Sequence, residues 1–110
     1  MDTATARHRL EVMRADLDRS IAVLRSEHPE RENSAADAGS VLTDSDRVQA
    51  ALASLERHRA AVEAALSRIS AGTYGQCLGC GKPVPEGRLE ARPDAARCVT
   101  CQAKHDRARR

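Results

Sequence analysis

Phenylalanine and tryptophan are absent from this 110-residue sequence, and Tyr74 is its one large aromatic side chain. Large apolar rings dominate the energetics of thick cores, so a thick globular core is not expected. The hydrophobic fraction of 41% overstates what can be buried, because Ala accounts for 20 residues, and Leu, Ile and Val occupy only 18 positions. Such a low content of branched aliphatics borders on that of disordered chains, but a net charge of +2 lacks the self-repulsion that accompanies disorder. No apolar run approaches the length of a membrane span, and Met1-Asp2-Thr3-Ala4 is not a basic stretch leading into an apolar one. Neither a membrane anchor nor a secretory signal is expected, and the chain is read as cytoplasmic. Also missing are a phosphate-cradling glycine loop, an HExxH pair and any nucleophile–base pattern, so no enzyme is expected. Arg outnumbers Lys by 16 to 2, which reads as compositional bias.

What is present is helical periodicity. Leu10, Leu17 and Leu24 recur at seven-residue intervals, with Met13 and Ile21 on the same stripe, predicting an amphipathic helix over Thr3–Glu27. The stretch from His28 to Ser34 contains Pro29 and a polar run, and is expected to be a short connection that makes the helices antiparallel. Val41, Val48, Leu55, Val62 and Ile69 then repeat every seven residues, flanked by Leu52 and Leu66, without Pro or Gly up to Ala71. Ser34-x-x-Asp37 has the form of a capping box, with Thr43-x-x-Asp46 as a later possible start, and Gly72 is suited to terminate the helix. From Ser34 to Ala71 this second helix would be a rod of roughly 55 Å. Ala51 and Ala65 are expected to face the first helix and allow close approach. The predicted fold is mainly α: an antiparallel coiled-coil hairpin over residues 1–71, with its tip at about 28–39, followed by a module over residues 72–110 with a short C-terminal helix.

Cys77-x-x-Cys80 and Cys98-x-x-Cys101 have the spacing of a four-cysteine zinc site, and in a reducing compartment such pairs bind metal rather than form disulfides. Two tight turns must each present two thiolates to one tetrahedral cation, and Gly81 suits such a turn. Tyr74, Val84 and Leu89 are the bulky residues available to pack beside the ion. Four thiolates close the coordination sphere, which fits one structural Zn2+ and argues against catalysis. His105 is not needed as a ligand, and His8, His28 and His58 read as surface or helix residues. Charge is uneven: residues 72–110 carry eight basic against four acidic residues.

Gly72-Thr73-Tyr74-Gly75-Gln76-Cys77-Leu78-Gly79-Cys80-Gly81, Arg88-Leu89-Glu90-Ala91-Arg92-Pro93 and Cys98-Val99-Thr100-Cys101-Gln102 together resemble the signature of the DksA/TraR C4 zinc-finger family. The resemblance is dense over residues 72–102, and a preceding hairpin fits the longer members. It implies a protein that binds bacterial RNA polymerase without sequence-specific DNA contact. The hairpin would enter the secondary channel as a monomer, with its tip toward the active site, and the zinc module would dock on the rim. The family's tip pattern falls on Ser34, Asp37 and Gly39, of which only Asp37 matches, so Asp37 is the implied regulatory residue; a capping role is an equal reading. Family members act with guanosine tetraphosphate through basic residues. Arg92 matches one of these, Ala61 and Gln102 stand where the family carries lysines, and Arg88 is a further possible nucleotide or polymerase contact. Losing two cations predicts reduced or absent nucleotide synergy. Two alternatives remain open at this point: a nucleic-acid-binding zinc ribbon and a zinc-thiolate redox sensor.

Overall fold

A computed structural model describes residues 1–28 and 40–109, with side chains described from residue 44 onward in the second span. Its elements are α1 (Thr3–Glu27), α2 (Ser40–Ala71), α3 (Glu86–Ala91) and α4 (Val99–Ala108). Among the described residues the only β pairing is an isolated antiparallel bridge between Gln76 and Pro83. No helix there is long and apolar enough to cross a membrane.

The first helix occupies the span its periodicity predicts. Its start is fixed by Asp2, whose Oδ1 accepts a hydrogen bond from the Thr5 amide at 2.7 Å, satisfying one of the amides that a helix start leaves free. Three cross-helix pairs, Arg14–Glu63 (3.0 Å), Arg25–Glu56 (2.6 Å) and Arg59–Asp18, step down one helix as they step up the other, so α1 and α2 are antiparallel. Each such surface pair is worth at most about 1 kcal/mol, so they mark register more than they supply stability.

Burial supplies more. Ala6, Leu10, Leu17, Val62, Ala65 and Ile69 form one cluster, with Met13, Leu55 and Leu66 packed against it. Ala6 and Ala65 are fully buried, as the close approach of two thin helices requires, whereas Ala51 is exposed and does not take part. The α2 stripe is therefore legible but uneven: Leu52, Val62 and Ile69 are buried, while Val48 and Leu55 are only half-buried.

The α2 C-terminus is built as its glycine predicts. Gly72 has φ 78°, its amide reaches the Ile69 carbonyl at 3.2 Å, and the Thr73 amide reaches the Arg68 carbonyl at 2.9 Å. This pair of bonds is the Schellman termination, which needs a left-handed residue. At its other end α2 is already helical by Ser40, upstream of the Thr43 alternative. The Ser34–Asp37 box lies outside the described residues, as does most of the tip. The 32 described residues of α2 give a rod of about 48 Å, in keeping with a longest molecular dimension of 51 Å.

Candidate metal centre and adjoining groove

After Gly72 the chain folds back on itself to make the first cysteine turn. The Val84 amide bonds the Gly75 carbonyl, and the Cys77 amide bonds the Lys82 carbonyl, each at 2.8 Å. Gly81, at φ 75°, closes the turn with its amide on the Cys77 carbonyl at 2.9 Å. The second pair uses a helix start instead: Cys98 is the N-cap of α4 and Cys101 lies in its first turn, where the positive end of the helix dipole faces the thiols. The two turns are tied together by the Leu78 amide on the Ala96 carbonyl at 2.9 Å.

The sulfur atoms of Cys77, Cys80, Cys98 and Cys101 all lie within 4.8 Å of one another, and Cys77 Sγ is 3.9 Å from Cys98 Sγ. A tetrahedron of Zn–S bonds of about 2.3 Å has edges of about 3.8 Å, so the arrangement fits one such ion with small adjustments. The Gly79 and Cys98 amides both donate to Cys77 Sγ at 3.3 Å. Chiefly through the Cys98 amide, these donors hold the Cys77 thiol down to about 6, which prepares the first thiolate. Hydrogen bonding and crowding by Cys98 and Cys77, with burial, push Cys101 up to about 12, so its proton leaves only in exchange for a cation. Gly79 has no room for a side chain: a Cβ there would lie 2.8 Å from Cys101 Cβ and 2.9 Å from its Sγ.

The expected packing residues are in place. Val84 and Leu89 are buried with Cys77, and Tyr74, Ala95 and Met1 pack against them. Met1 and Tyr74 also touch the hairpin cluster, so hairpin and module share one boundary layer. Tyr74 donates its hydroxyl to the Pro93 carbonyl at 2.8 Å, and burial pushes its phenol above the usual range.

Helix α3 is not foreseen by the sequence; it opens after Pro85 with Glu86 in its first turn, where an acidic side chain suits the helix dipole. It carries Arg88 and leads to Arg92, and both line a groove of about 420 Å³ beside α4. Ala61 and Gln102 line the same groove, together with Arg97, Arg109 and His105. Arg88 is oriented by its Nε, which donates to the Arg97 carbonyl at 2.8 Å. Arg88 and Arg92 thus share one groove, and Arg97 and Arg109, which carry no motif in the sequence, join them there. His58, read as an ordinary helix residue, lies 3.6 Å from the buried Asp94. Asp37 lies outside the described residues.

Comparison with known proteins agrees with this geometry. Residues 72–107 match the prokaryotic dksA/traR C4-type zinc finger. The RNA polymerase-binding transcription factor DksA of Caulobacter vibrioides is 43% identical over 49 residues, covering 44% of this chain and 34% of that protein. An uncharacterized Haemophilus influenzae protein is 50% identical over 34 residues, covering 31% of this chain and 45% of its own length. The chain thus spans about a third of the length of the DksA relative it matches. The structure of transcription factor DksA2 from Pseudomonas aeruginosa superposes with a TM-score of 0.74 at 22% identity, covering 97% of this chain and 84% of that one. The site for one ion is accordingly a structural zinc site. Residues 72–107 are similar to the dksA/traR C4-type zinc finger, and the chain as a whole has the same fold as DksA2.

Proposed function

We propose that this chain is a transcription regulator that binds RNA polymerase through the secondary channel, its hairpin tip directed at the active site and its zinc module docked on the rim. The observation that carries this reading is the likeness to DksA2 over 97% of the chain, joined to a zinc finger matching an RNA polymerase-binding DksA. A rod of about 48 Å, only two helices thick, has the reach and width of a channel probe. The chain acts by binding and not by turnover, since four thiolates leave zinc no open position for substrate. It works as a monomer in the cytoplasm, because a channel that admits one hairpin leaves little space for a second.

Asp37 is the tip residue that acts on the polymerase. Arg88 and Arg92 contact the rim or a polyphosphate bound there. Ala61 and Gln102 leave the groove without the two lysines of the family pattern, so guanosine tetraphosphate enhances the effect weakly; Arg97 and Arg109 keep the groove cationic.

Pull-down of core RNA polymerase by the zinc-loaded chain and by Asp37→Ala tests the reading. Both proteins are expected to bind, while the effect on a promoter with a short-lived open complex shrinks in the variant. Failure of the wild type to bind core polymerase, together with salt-sensitive binding to free DNA, would replace this reading with a nucleic-acid-binding zinc ribbon.

A further inference from the structure

The four sulfur atoms are covered from one side. Cys77 is buried, at 3% exposure, against Val84 and Leu89, with Tyr74 and Met1 packed on the same cluster. Cys98 and Cys101 are half-buried at the start of α4, and Cys80 is the exposed member of the four. Around Cys80 the chain is exposed without a break from Leu78 to Pro83, and Val99 and Thr100 in the second cysteine pair are exposed as well. Leu78 and Val99, at 58% and 64% exposure, hold the same place in their turns, directly after the first cysteine, and belong to neither buried cluster. A side chain at Gly81, next to Cys80, would meet nothing within 4 Å, whereas one at Gly79 would strike Cys101. The sulfurs also differ in how firmly they are held. The backbone amides that donate to sulfur, from Gly79 and Cys98, both donate to Cys77 Sγ, and among the described residues none donates to Cys80 Sγ. Such bonds orient a charged ligand and offset its charge, so Cys77 is the anchored thiolate and Cys80 the loosely held one.

We propose that Cys80 is the exchange ligand of this site: a small organic thiol approaching over the face of Leu78 and Val99 takes its place, and the Cys80 bond is the first broken when zinc leaves and the last made when it enters. Zinc can hold a fifth donor while one of four departs, so exchange requires a face on which a donor can approach, and the Cys80 side offers it. The step balances without an oxidant or reductant. The incoming thiol gives its proton to Cys80 Sγ, and its sulfur takes up the bond that Cys80 gives up. Cys77, Cys98 and Cys101 keep their bonds throughout, so the turns they anchor stay folded during the exchange. Leu78 and Val99 make the approach apolar, which suits the carbon skeleton of a thiol better than a strongly hydrated anion. Nothing in this exchange depends on RNA polymerase.

Two measurements on the full zinc-loaded chain test this. In alkylation with substoichiometric N-ethylmaleimide, read by peptide mass mapping, the first label marks the most accessible sulfur; it is expected at Cys80, about tenfold ahead of each of the other three. Exchange of the bound ion against an enriched zinc isotope, followed by native mass spectrometry, should accelerate in proportion to added 2-mercaptoethanol over about 1 to 10 mM. Chemical rescue then locates the open position. In Cys80→Gly the same thiol should recover zinc affinity by about tenfold or more, with one thiol bound per ion, while Cys77→Gly, at the buried position, should show no recovery. First labelling at another cysteine, a wild-type exchange rate independent of thiol, or recovery in Cys77→Gly without recovery in Cys80→Gly would overturn the assignment. If neither variant holds zinc, the two wild-type measurements decide.

Discussion

Removing zinc should melt the module while leaving the hairpin standing, and the structure sets the size of the signal. The module has little else to hold it: among the described residues Val84 and Leu89 are its only buried branched aliphatic side chains, each worth about 1.5–3 kcal/mol. Structural zinc in peptides of this kind supplies about 10–16 kcal/mol of apparent binding free energy. The hairpin, by contrast, has its own cluster of six buried residues, none of them a metal ligand. Helices α1 and α2 contain 25 and 32 residues, against 6 and 10 in α3 and α4. Chelation, or Cys77→Ser, should therefore remove about a fifth of the circular dichroism at 222 nm, in step with the loss of zinc measured by metal analysis. The remaining signal should melt separately on heating, at a temperature lowered by the lost Met1 and Tyr74 contacts. Loss of more than half the helical signal on chelation would show that the hairpin depends on the module; no loss would show that the ion is not the staple.

Gly79→Ala should weaken zinc binding about 10- to 100-fold in a metal-competition assay, since the added methyl cannot avoid Cys101 without moving a ligand; a change below about threefold would mean that the turn relaxes freely. Zinc affinity should rise with pH through the neutral range, because Cys101, pushed up to about 12, holds a proton that the ion must displace. A pH-independent affinity would contradict coordination by that thiol. Leu10→Ala should cost about 2–3 kcal/mol in urea unfolding, at the low end for a fully buried leucine because a two-helix rod can partly close the gap; a cost below about 1 kcal/mol would mean that Leu10 is not in the load path of the hairpin.

Local chemistry determined much of this protein. Seven-residue spacing of Leu and Val set the two long helices, and the Thr3–Glu27 and Ala71 boundaries follow from the caps and the glycine beside them. The paired Cys-x-x-Cys turns announced the metal, because ligand spacing is a property of short stretches of chain. Family resemblance supplied the reading of Arg88 and Arg92, and the fold places both on one groove. What the sequence could not reveal depends on elements far apart in the chain. Gly79 looks like any turn glycine until Cys101 arrives against it from another segment. Ala51 and Ala65 are indistinguishable by pattern, yet only Ala65 meets the facing helix, since rotation of the two rods about their axes is settled by packing and not by period. Asp94 follows a proline in a polar stretch and reads as solvated; it is buried because the module lies down along α2 and brings His58 and Arg68 to it, and burial of a charge is a property of what surrounds it, which exists only once the tertiary structure has formed.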